Sequence, residues 1–210
     1  SIPHQLADWK HKGKGNPPKD WAFHDEKNMP VAEIYQTRGS YEYMGCPGQA
    51  PHAMNISGHY LQDAWRKGIV VGVIASPDHG GGYGKIGVWG ENLTREDIFR
   101  AVRQRHTFGT SGPKMGLLFK AGEAIMGDKV KLSDNPSFDF RVKAVAREKI
   151  REVVIFRNNQ IVFRKKPQKK EIDVEWKDEN RPPKDWLWYY TRIQTTEDEL
   201  AWSSPIWFIA

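Results

Sequence analysis

Hydrophobic and polar positions follow two different rhythms along this chain, and the change falls near residue 112. In the first half, short apolar runs alternate with helical patterns. Val31 to Gln36 is β-prone and ends in Thr37-Arg38-Gly39. A helix is predicted over about Ser57 to Lys67, with Ser57 as its cap, Leu61, Ala64 and Trp65 on one face and Gly68 as its stop. Ile69 to Ala75 is a continuous apolar run, the pattern of a fully buried strand. A second helix begins after Thr94, a natural N-cap with Asp97 three residues on, and Leu93 and Ile98 are placed for a hydrophobic staple. Ile98, Ala101 and Val102 make its apolar stripe, Arg103, Arg105 and His106 suit its negative end, and Gly109 is its expected terminator. Strand, helix, strand and helix in this order predict a parallel sheet with right-handed crossovers.

Beyond residue 112 the period becomes two. Phe138, Phe140, Val142 and Ala144 alternate with Asp139, Arg141 and Lys143. Val153–Phe156 and Ile161–Phe163 flank Arg157-Asn-Asn-Gln160, a hairpin turn in which Asn tolerates positive φ. Ile172, Val174 and Trp176 alternate with acids, Trp186 to Ile193 is an aromatic strand, and Ile206 to Ile209 is the last. The expectation is α/β followed by all-β: a partial, distorted β/α barrel-like parallel sheet over 1–112 and an antiparallel β-sandwich over 113–210, with the boundary between Phe108 and Met115. Only about two β/α units are visible, whereas a closed barrel takes about 250 residues, so the parallel sheet is expected to be small or part of a larger domain.

Composition sets limits on this picture. The chain has 210 residues and a formal charge of +6, long enough for a real core. It contains no run of about 18 apolar residues, so no membrane span is predicted, and Ser1-Ile-Pro-His4 has no signal-peptide pattern. A single cysteine rules out an internal disulfide and a cysteine-based zinc site. The densest basic run, Arg164 to Lys170, lacks interleaved aromatic residues, so it reads as a solvated loop and nucleic acid is not the expected partner. Nine Trp and nine Phe read mainly as core.

The chemistry-bearing stretch is Ile74-Ala-Ser-Pro-Asp-His-Gly-Gly-Gly-Tyr83, where a buried strand ends in an acid, an imidazole and three glycines. Carboxyl ends of strands are where α/β folds bind ligands. His4, Glu33, Asp78 and His79 are side chains suited to zinc, manganese or iron. Glu33 lies on an apolar strand, and a buried carboxylate needs a partner. Arg38 and Glu42 either hold an anion or pair with each other. His11, His24, His52, His59 and His106 are weaker candidates. No nucleophile elbow, Walker loop, Rossmann fingerprint or His-Glu-x-x-His occurs.

The segments Val31 to Glu42, Val71 to His79, Leu93 to Thr110 and Ala201 to Trp207 together resemble an uncharacterised subgroup, a domain of unknown function, of the PHP (polymerase and histidinol phosphatase) superfamily. The resemblance implies a distorted β/α barrel with two or three metals, phosphoesterase activity in many relatives, and a β-rich C-terminal part. By it His4 corresponds to a mid-barrel ligand and Asp78 to the aspartate of a late Asp-x-His motif. Here His79 follows Asp78 directly and Gly80 stands where the second histidine is expected; no His-x-His occurs in the chain. The chain therefore resembles the C-terminal portion of such a protein, with the first metal ligands either upstream, on an N-terminal segment that completes the barrel, or lost. The expected function is one part of a metal-dependent phosphoesterase acting on a phosphorylated small molecule or phosphodiester. His4, Asp78 and His79 would be metal ligands, Arg38 would stabilise phosphate charge, and Glu33 and Glu42 would contact substrate. The alternative is a non-catalytic protein whose sandwich binds a glycan, polymer or protein on a degenerate scaffold.

Overall fold

The structure, a computed structural model, describes residues 1–8, 17–49, 56–79, 83–182 and 185–210. A small sheet comes first in the chain. β1 (Val31–Gln36) pairs antiparallel with β2 (Gly39–Ser40) and parallel with β3 (Gly72–Ala75), and the crossover carries α1 (Leu61–Arg66). β1 has the predicted bounds. The first helix starts later than predicted, because Tyr60 and Asp63, rather than Ser57, form its N-terminal cap. Gly68, at φ +80°, follows it.

The remaining strands are β4 (Lys85–Val88), β5 (Thr107–Thr110), β6 (Gly116–Ala121), β7 (Ala124–Ile125), β8 (Lys129–Lys131), β9 (Asp139–Arg157), β10 (Gln160–Lys165), β11 (Lys169–Lys177), β12 (Trp186–Thr195), β13 (Leu200–Ser203) and β14 (Ile206–Ile209). They form one sheet with the main order β4-β5-β13-β12-β9-β6-β7. Its pairs are antiparallel except β14 with β8. The 19-residue β9 organises it. Its first half lies between β6 and β11 and its second half between β12 and β10. The sheet curls around a core of Phe119, Phe140, Val142, Tyr189 and Phe208.

This corrects the expected fold class. The described residues are mostly β, 43% strand against 11% helix, and among them the only parallel pairs are β1–β3 and β14–β8. They form no parallel β/α barrel. The physical reason lies after α2 (Arg95–Arg103). The next strand, β5, does not return to β3 but pairs antiparallel with β4 and β13. Thr94 caps α2 as predicted, its Oγ1 accepting from Asp97 N at 3.2 Å. The staple does not form, since Leu93 is exposed, and the helix ends at Gln104 rather than Gly109, which lies within β5. Strands on both sides of residue 112 thus share one sheet. A second core, between that sheet and the small one, draws Ile34, Trp65 and Val73 together with Phe156, Tyr190 and Trp202. β12 is therefore buried on both faces, which accounts for its unbroken aromatic run.

Candidate functional site

The carboxyl ends of β1 and β3 place several of the predicted side chains together. The β1–β3 register shifts between Glu33 and Tyr35, an irregularity of the kind that re-aims side chains beside sites. Glu33 is 3% exposed. Its Oε2 accepts from Gln5 N at 3.3 Å, and its Oε1 accepts a short hydrogen bond from Ser76 Oγ. Burial raises the Glu33 pKa above the ordinary carboxylate range, and Asp78 pushes it the same way; the Ser76 and Gln5 bonds and nearby His4 oppose the rise. His4 is brought there because Pro3 O accepts from Glu33 N at 3.0 Å, laying residues 3–5 beside β1.

Asp78 sits just past β3 at φ +60°. Its amide donates to Ser76 Oγ at 3.4 Å, and Thr37 Oγ1 donates to Pro77 O at 2.7 Å, tying the β3 end to the β1–β2 turn. The returning chain presses Gly84 onto Ser76: a Cβ there would lie 2.3 Å from Ser76 O. At the turn, the half-exposed Arg38 reaches two carboxylates, Asp8 at 3.3 Å and Asp78 at 3.8 Å. Tyr41 OH donates to the other oxygen of Asp8 at 2.9 Å. Burial, then Asp8, and to a smaller extent Glu33 hold the Tyr41 hydroxyl well above its usual pKa. Among the described residues, Asp8, Glu33 and Asp78 thus share one neighbourhood with the Arg38 guanidinium, and His79, 92% exposed, stands 3.7 Å from Asp78.

Glu42 is not in this group. It is fully buried against the large sheet, with Oε1 accepting from Tyr190 OH at 2.7 Å and Oε2 from Arg192 Nη1 at 2.6 Å and Trp202 Nε1 at 2.9 Å. It pairs with Arg192 and not with Arg38, and both of its oxygens are engaged by these bonds. His59 and His106 are likewise engaged, with Lys19 O at 2.7 Å and Asp128 at 2.8 Å, and His24 packs on Trp21. His11, His52 and Gly80–Gly82 lie outside the described residues.

Sequence reasoning missed Asp8, Tyr41 and Ser76. The signal for Asp8 in the sequence is the apolar pair Leu6-Ala7 before it, which is fully buried. Ser76 was legible as a hydroxyl between a buried strand and Pro-Asp, a position where Ser readily bonds nearby backbone. Among the described residues, no three His, Cys, Asp or Glu side chains converge closely enough to hold a metal ion. No helix among them is long and apolar enough to cross a membrane.

A family model described as "Protein of unknown function (DUF3604)" matches residues 62–146, under half of the chain. That range includes Ser76 and Asp78. An uncharacterized protein of Chlamydia pneumoniae is 28% identical over 130 residues, covering 54% of this chain and 21% of that protein. An uncharacterized protein of Chlamydia trachomatis is 25% identical over the same coverage. The chain spans about a fifth of the length of these curated relatives. No solved structure matches. The resemblance is therefore corrected: the likeness is to this domain of unknown function, and the matches do not support the PHP superfamily.

Proposed function

We propose that this chain is one part of a metal-dependent hydrolase of phosphorylated small molecules or phosphodiesters, and that the β1–β3 strand end is its contribution to the metal site. The observation that carries this reading is the charge balance around Glu33. Among the described residues, three carboxylates, one of them buried and with a raised pKa, stand against one half-exposed guanidinium. A buried carboxylate in such a place is relieved by a cation. The donor chemistry fits a divalent ion such as zinc, manganese or iron, with Glu33, Asp78, His4 and the exposed His79 as donors. The number of converging donors does not, so the remaining ligands have to come from outside the described residues or from another segment. With those ligands supplied, Glu33, Asp78, His4 and His79 would help to hold such an ion, and the chemistry it would supply is Lewis-acid polarisation of a phosphoryl oxygen and a more acidic water.

The chain's own residues do the rest. Ser76 fixes the Glu33 carboxylate, and Asp8, itself held by Tyr41, orients Arg38, whose guanidinium would pair with an anionic oxygen of the substrate. Glu42 has no part in it. One observation favours a second reading, a non-catalytic binding protein: the absence of three converging ligands among the described residues.

Metal content after equilibration with zinc, manganese or ferrous iron separates the two. Bound metal that is lost in both Asp78→Ala and Glu33→Gln supports the first reading; no stoichiometric metal, or metal retained in both variants, refutes it. The isolated chain is expected to hydrolyse a generic phosphodiester weakly at best. Robust metal-dependent turnover by it alone would sink the claim that further ligands are needed.

A further inference from the structure

Trp89, just after β4, is the exposed exception among the described tryptophans. It is 40% exposed, yet its ring is fixed, with Nε1 donating to Leu117 O at 2.8 Å and its backbone N–H to His106 O at 2.9 Å. A rigid indole whose polar edge is already satisfied offers its flat apolar surface to whatever binds. The ring is shared by two clefts. The larger, about 550 Å³, runs along α2 past Glu91, Asp97, Arg100, Gln104 and His106. The smaller, about 220 Å³, continues across β6 and β9 at Leu118, Lys143 and Val145.

The larger cleft has a fixed frame and free polar groups. Arg100 Nη2 pairs with Asp97 at 2.8 Å, and His106 Nε2 with Asp128 at 2.8 Å, which holds both side chains in place. The Glu91 carboxylate and the Gln104 amide make no hydrogen bond or ion pair among the described residues. Donors and acceptors are therefore mixed around the indole. Glu91 and Asp97 against Arg100 leave no positive excess to attract a phosphate or another anion. A protein partner favours a dry apolar patch with few charges at its centre, which this cleft is not.

A neutral sugar ring meets these demands. Its C–H face packs on an indole, and each hydroxyl both donates and accepts, so it pairs with carboxylate, amide and guanidinium alike. We propose that Trp89 and its two clefts form a binding site for a neutral oligosaccharide, whose chain crosses the indole from one cleft to the other. This site is independent of the strand-end cluster.

The test is calorimetric titration of the full chain with cellohexaose, maltohexaose and chitohexaose, with a heparin-derived hexasaccharide as the anionic control. Saturable binding of at least one neutral hexasaccharide is expected. Trp89→Ala should weaken it by about tenfold or more, while Trp89→Phe, which keeps an aromatic face, should weaken it less. Gln104→Ala, on the exposed helix surface, should weaken it by about threefold or more without shifting the melting temperature. The proposal is overturned if no neutral hexasaccharide binds up to about 10 mM, if the heparin fragment binds more tightly, or if affinity is unchanged in both Trp89→Ala and Gln104→Ala. No metal enters this titration, so its failure and that of the hydrolase reading are separate results.

Discussion

Replacing Glu42 tests how the small sheet is held on the large one. Glu42 follows β2, and its carboxylate is enclosed by Arg192 and Tyr190 of β12 and Trp202 of β13. Burial alone would lower the Arg192 pKa, but Glu42, with Tyr43 and Tyr190, raises it above the usual value. In Glu42→Ala the guanidinium stays buried without its counter-charge, which typically costs about 3–5 kcal/mol. The Trp202 indole N–H also loses its acceptor, adding about 1 kcal/mol; Tyr190 OH still accepts from Gln62 Nε2 at 2.7 Å. The sum is about 4–6 kcal/mol, or a fall of about 8–24 °C in melting temperature for a chain of this length. Urea unfolding followed by circular dichroism reads the same quantity as a lower midpoint at unchanged slope. The double variant Glu42→Leu/Arg192→Met removes both charges and should lose far less than the two single changes added together. A loss below about 1 kcal/mol in Glu42→Ala, or full additivity in the double variant, would refute the buried clamp.

Because burial raises the Glu33 pKa, the folded state holds that proton more tightly than the unfolded chain. Stability therefore falls as pH rises from the ordinary carboxylate pKa through the raised one, and the stability of Glu33→Gln relative to the parent should be more favourable at pH 7 than at pH 4 in paired melts. Asp173, held at a pKa of about 2 by its hydrogen bonds to Arg141, should titrate markedly higher in Arg141→Ala when followed by carboxyl NMR; an unmoved titration would remove that pair. Asn159 occupies positive φ and also bonds Trp188 Nε1 and Gln62 O. Asn159→Gly keeps the turn but should still cost about 1–2 kcal/mol by denaturation, and a neutral effect would show that φ alone matters there. At Gly87 a Cβ would lie 2.0 Å from the Phe108 ring, so Gly87→Ala should destabilise by about 1–3 kcal/mol; an unchanged unfolding midpoint would contradict that packing.

Local signals survived the passage from sequence to structure where the cause is local. Val31–Gln36, the Thr94 cap and the Asn158-Asn159 turn formed where side-chain chemistry alone dictates them. The antiparallel strands of the second half were likewise visible in their alternation. What sequence could not supply was the choice of partner. Val153–Phe156 and Phe138–Ala144 read as separate strands because the charges of 147–152 break the alternation, yet they are the two halves of β9. The strand persists there because Ile150 is fully buried while its charged neighbours point outward or pair, Arg151 with Asp198 and Glu152 with Arg164.

Gly109 carries the same lesson for the candidate site. As a residue it signals a helix end, but its reason lies across the fold: a Cβ there would stand 3.0 Å from both Ala75 and Ile34. The large sheet lies that close against β1 and β3 immediately beside Glu33 and Ser76. Close backbone approach holds the ends of β1 and β3 in register, with Thr107 Oγ1 donating to Val73 O at 2.7 Å and Ser204 Oγ accepting from Val73 N at 2.9 Å. The predicted acid and imidazole at the end of β3 are thus positioned by residues some 30 to 130 places away in the chain, contacts that no periodicity encodes. The strand side of the cluster is packed in this way, whereas Arg38 is half-exposed and His79 exposed, and it is on that side that the proposed hydrolase would take up its anion.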